Sequence, residues 1–108
     1  NTEMNQARYK LYEVAKELSQ FKKDFPKGDS KEREQIFKAT VENLLNQYEI
    51  LCDYYLSNRI NKDRFIKQRK LEIKQIVESE GTKEYFANPL TSNYQAVIEV
   101  YRELKNTI

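Results

Sequence analysis

Residues 31–57, KEREQIFKATVENLLNQYEILCDYYLS, decide the fold. Phe37, Val41, Leu44, Tyr48, Leu51 and Tyr55 recur at steps of three and four, the spacing of one helix face, with Leu45, Cys52 and Leu56 flanking them. Ile36, Ile50 and Tyr54 fall on other sides, and a helix apolar on several sides belongs in the middle of a bundle. Asp29 or Ser30 can cap this long helix, and Glu32 completes a capping-box pattern with Asp29.

On the N-terminal side, Met4, Ala7, Leu11, Val14, Leu18, Phe21 and Phe25 repeat the three-four spacing and predict a first helix over 3–25. Pro26 and Gly28 end it, because a proline disfavours helical geometry in the residue before it and glycine adopts turn conformations readily. On the C-terminal side, Asn58 and Asn61 bracket a break. Asn61 can accept the free amide hydrogens of a third helix over 62–80, whose face is Phe65, Ile66, Ile73, Ile76 and Val77. Gly81 is the expected C-terminal cap, and 83–87 can make one further turn before Asn88-Pro89. Ser92 can cap a last helix bearing Tyr94, Val97, Ile98, Tyr101, Leu104 and Ile108. The fold class is therefore all-α, a four-helix antiparallel bundle with an extra short turn and a long central second helix.

With 108 residues, 39% hydrophobic and 12% aromatic, the chain has the size and apolar content of one domain over 1–108 with one shared core. Two glycines and two prolines are too few to punctuate many short strands. No run of about 18 apolar residues is present to cross a membrane as a helix. A lone cysteine, Cys52, excludes an intrachain disulfide and fits a reducing, cytoplasmic setting. The chain begins at Asn1, which fits a piece of a longer protein.

The composition speaks against familiar enzyme chemistry. With no histidine, neither a Ser-His or Cys-His catalytic pair nor a histidine-bearing metal site can be assembled. Gly28 and Gly81 are too far apart for a phosphate-cradling loop. The acidic pairs Glu13 with Glu17 and Glu78 with Glu80 could in principle bind magnesium, yet such pairs on helix faces ordinarily serve solvation and charge pairing. No catalytic, metal-ligating or cofactor-binding residue is expected, nor a small-molecule substrate. Cys52, beside Tyr48, Leu51 and Tyr55, reads as a packing residue.

Charge is uneven although the net value is only +2. Residues 59–74 carry seven basic side chains against Asp63 and Glu72. Arg64, Lys67, Lys70 and Lys74, with Leu71 among them, point away from the apolar face of the third helix and form a candidate basic surface. Phosphates of nucleic acid, anionic lipid headgroups or an acidic protein are its natural counterparts, though no aromatic residue interleaves with these cations for base stacking. Arg69 instead projects onto the apolar side and needs a partner; Glu49 is the first candidate for that structural ion pair and Asp53 the second, with snorkelling to solvent as the alternative.

The segment Leu45-Asn46-Gln47-Tyr48-Glu49, followed by Ile60-Asn61-Lys62-Asp63 and a helix from Phe65 to Ile76, resembles an uncharacterised bacterial helical domain in which a Leu-Asn-x-x-Glu element precedes a short loop and further helices. The resemblance covers about the last two thirds of the chain. It implies a cytosolic helical domain, often placed after one or two transmembrane helices, with no established catalytic activity. Asn46 and Glu49 are the positions carried over, both with structural roles. The terminal tryptophan of that pattern is absent, and Tyr101 stands in its place. Composition and resemblance together lead to a non-enzymatic interaction domain working through a protein partner or through self-association, a homodimer included. Electrostatic binding of nucleic acid or anionic lipid by the basic third helix is the alternative.

Overall fold

The computed structural model describes residues 2–105, with side chains described from Met4 onward. Four α-helices follow one another: α1 (Thr2–Asp24), α2 (Lys31–Leu56), α3 (Lys62–Glu78) and α4 (Gln95–Lys105), with a 3-10 turn at Lys83–Phe86 before α4. No strand occurs among the described residues, so the all-α class holds. No helix is long and apolar enough to cross a membrane among the residues described. Ile108, expected on the last helix face, lies outside the described residues.

The chain divides into two compact units, Asn1–Gln47 and Tyr48–Ile108, with the boundary inside α2. α2, with 26 residues, supplies its first part to one unit and its last part to the other.

The first unit holds α1 and the leading turns of α2. Met4, Ala7, Val14, Val41, Leu44 and Leu45 are buried. Burial thins toward the connecting turn, where Leu18 and Phe21 are half-buried and Phe25 is 58% exposed. That turn is held by polar and aromatic contacts instead. The Phe25 and Gly28 amides donate to the carbonyls of Phe21 and Phe25 at 2.8 and 2.9 Å, and the Asp29 Oδ1 accepts the Lys31 amide at 3.0 Å. Lys22 pairs with Glu34 at 2.8 Å, and the Arg33 guanidinium lies 4.4 Å from the Phe21 ring centroid. The Lys22 ammonium holds the Glu34 carboxyl below its usual range. Gly28 is required by space: a Cβ there would stand 2.9 Å from the Phe25 Cβ.

The second unit places the end of α2, α3 and α4 up, down and up. Tyr55 stacks on Phe65 of α3 at 4.7 Å between centroids and donates from its hydroxyl to Glu103 of α4 at 2.8 Å. Its core includes Tyr48, Cys52, Tyr55, Phe65, Ile73, Val97, Val100 and Leu104, and Phe86 of the 3-10 turn stacks on Tyr94 at 5.8 Å. Asn58 ends α2 in the left-handed conformation at φ 60°, which asparagine tolerates, and the following Arg59 amide returns to the Tyr54 carbonyl. Asn61 caps α3 as its sequence predicts, its Oδ1 accepting the Arg64 amide at 3.0 Å.

Gly81 does not cap α3. Ser79 is the cap residue, its amide donating to the Gln75 carbonyl, and the Thr82 hydroxyl closes on the Ile76 carbonyl. Gly81 has no positive φ and no side-chain neighbour that a Cβ would meet. A hydroxyl that reaches back to a free carbonyl does here what a left-handed glycine does elsewhere.

Candidate functional surface

Glu49 sits on α2 one turn before Cys52, where a core-facing position meets the approach of α4. Its two carboxylate oxygens accept the backbone amides of Ala96 and Val97, each at 3.0 Å. Those amides belong to the first turn of α4, which has no intrahelical acceptor for them, and a carboxylate there also meets the positive end of the helix dipole. Glu49 thus serves as an N-terminal cap supplied from a different helix. Ser92, the expected cap, instead donates from its hydroxyl to the Tyr85 carbonyl at 2.6 Å and accepts the Tyr94 amide at 3.1 Å, shaping the loop that delivers α4.

The expected Glu49–Arg69 ion pair is therefore not formed. Arg69 is partly buried, as its projection onto the apolar face predicts, but its Nη1 donates to both oxygens of Glu72 at 3.1 and 3.2 Å. The two side chains are 12% and 13% exposed, and the Tyr48 hydroxyl adds a hydrogen bond to Glu72 at 2.9 Å. A partner three residues away on the same helix is within reach without any adjustment of neighbouring helices, which is why it wins over Glu49. Asp53, the second candidate, is exposed.

The basic surface of α3 divides. Arg64 and Lys67 are exposed on the outer side, beside Leu71, which is 72% exposed. Lys70 is half-buried and, with Lys74, turns toward α4. There the two line a notch of about 190 Å³ with Glu78, Tyr101 and Lys105, over Ile73 and Leu104. The Tyr101 hydroxyl donates to Glu78 Oε2 at 2.6 Å, and the Lys105 ammonium lies 5.9 Å from the Tyr101 ring centroid. That hydrogen bond, given to a carboxylate, holds the Tyr101 phenol above its usual range. Sequence reasoning found Lys70 and Lys74 but missed Tyr101 and Lys105, since nothing in α3 tells which turn of α4 will lie against it.

The acidic pair Glu78 and Glu80 also separates. Glu78 is engaged by Tyr101, while Glu80 pairs with Lys83 at 2.8 Å, and no group of three or more potential metal ligands forms among the described residues. Cys52 is wholly buried, and burial together with the nearby Glu49 carboxylate pushes its thiol far up, away from the nucleophilic thiolate.

A second feature lies on α2. Ile36, Ile50 and Tyr54 are 49%, 48% and 39% exposed, and Arg59 rests 5.8 Å from the Tyr54 ring centroid. The expectation that this helix is enclosed on several sides is not met here. No protein-family model, no curated protein and no solved structure matches the chain.

Proposed function

We propose that the chain is a non-enzymatic helical interaction domain that docks a second helix, from another copy of itself or from a protein partner, on the outer face of α2. The observation that carries this reading is the exposed apolar pair Ile50 and Tyr54, one turn apart on the part of α2 that belongs to the second unit. Residues four apart lie on one side of a helix, so both can meet the same partner helix. Ile50 and Tyr54 sit half out of water and lose their remaining apolar contact with it on docking. The lack of histidine and the burial of Cys52 are in keeping with binding in place of chemistry. A cytoplasmic setting, with a membrane tether supplied by a segment outside this chain, belongs to the same proposal.

The test is light scattering over a wide concentration series, on the native chain and on the double variant Ile50→Lys/Tyr54→Lys. Both positions are exposed, so the variant should keep its helical circular dichroism. A mass that rises toward the dimer with concentration and stays monomeric in the variant supports self-association. A monomer at every concentration removes that version. The partner version then stands or falls on a photo-crosslinking residue at position 50, which should capture a protein in cells where one at the exposed Glu17 does not.

A further inference from the structure

We propose that the notch between α3 and α4 is a binding site for a phosphomonoester carried on a small apolar or aromatic body. Lys70, Lys74 and Lys105 line it, and among the described residues the sole carboxylate in its lining is that of Glu78. The excess is two positive charges, the charge of a phosphomonoester dianion and twice that of a carboxylate ligand. None of the three lysines forms an ion pair within the described residues, whereas Glu78 already receives the Tyr101 hydroxyl at 2.6 Å. The lysines thus line the notch with their local counter-charge partly committed.

Shape and lining limit the rest of the ligand. A volume of about 190 Å³ lies below the roughly 300 Å³ at which drug-sized ligands begin, so the occupant is small. Ile73 and Leu104, both buried, make the floor apolar, and the Tyr101 ring forms one wall. An apolar body can rest there while its phosphate stays at the lysine rim, where lysines act as point charges for phosphate oxygens. Lys70 and Lys74 are one helical turn apart on α3, and Lys105 approaches from the end of α4, so the site exists only where the two helices lie together.

Phenyl phosphate and inorganic phosphate are suitable soluble probes, titrated into the chain at low salt and followed by amide and phosphorus NMR. Phenyl phosphate should bind saturably, with amide shifts centred on residues 70–78 and 101–105, and about tenfold more tightly than inorganic phosphate because its ring leaves water. Lys74→Gln and Lys105→Gln should each weaken it by about fivefold or more, and Lys74→Arg should retain most of the affinity. The outer pair Arg64→Gln/Lys67→Gln should change it by less than about twofold. Vesicles containing phosphatidic acid distinguish the source of the group: binding with the same lysine dependence, competed by phenyl phosphate, places it on a lipid, and no vesicle binding beside tight phenyl phosphate binding places it on a soluble compound. Equal loss from the outer and inner pairs, or no preference for phenyl phosphate over inorganic phosphate, overturns the proposal.

Discussion

Replacing Glu49 removes the acceptor for two amides at the start of α4, and the cost can be worked from its surroundings. The Ala96 and Val97 amides donate to it at 3.0 Å, and both residues are buried, so water cannot readily replace the carboxylate. Loss of an N-terminal cap costs about 1 kcal/mol, up to about 2 kcal/mol. Leaving an amide buried without a partner adds about 1 kcal/mol or more, and losing the charge at the helix dipole a few tenths. Glu49→Ala should therefore destabilise by about 2–3 kcal/mol. Glu49→Gln keeps one side-chain acceptor oxygen and should lose about half as much. Urea denaturation measures both, and amide exchange at Ala96 and Val97 should accelerate well ahead of exchange at Ile73. The sharper check is a double-mutant cycle with Arg69→Gln. Because Glu49 and Arg69 bond elsewhere, their coupling should fall within about 0.5 kcal/mol of zero. A coupling above about 1 kcal/mol, or an Ala variant as stable as the native chain, refutes the capping account.

Glu72→Gln should cost about 1–3 kcal/mol in urea denaturation, since it weakens acceptance from both Arg69 and Tyr48 in a nearly buried network, and coupling between Tyr48→Phe and Glu72→Gln should be clearly non-zero. Burial first, then the hydrogen bond to Glu103, pushes the Tyr55 phenol up to about 12. The unfolded chain sheds this proton near pH 10 while the folded one keeps it, so this residue's contribution is present below about pH 10 and is lost between about pH 10 and 12. Tyr55→Phe should flatten that part of the decline when urea midpoints are compared across those values. Gly28→Ala should destabilise by about 1–2 kcal/mol through the close approach to Phe25, whereas Gly81→Ala, with open space and an ordinary backbone, should be neutral or stabilise by up to about 1 kcal/mol in the same assay. Cys52, buried with its thiol pushed up, should resist a thiol reagent in the native state and react fully in denaturant; rapid native labelling would contradict the packing seen here.

The sequence by itself determined the helices. Three-four spacing, the Pro26–Gly28 stop and the asparagines at 58 and 61 place α1, α2 and α3 close to their observed limits, because helix periodicity and caps act over a few neighbouring residues. It also projected Arg69 onto the apolar side of α3, with snorkelling to solvent left open, and placed Cys52 in the core. Tertiary structure decided the partners. Glu49 lies 47 residues before the Ala96 amide it accepts, and Lys70 shares its notch with Lys105 from another helix. The placement of Ile50 and Tyr54 in solvent was equally hidden, since an apolar row looks the same in sequence whether a neighbour covers it or not. Periodicity states which side of a helix is apolar; which element, if any, arrives to meet that side depends on loop geometry and packing between residues far apart in the chain.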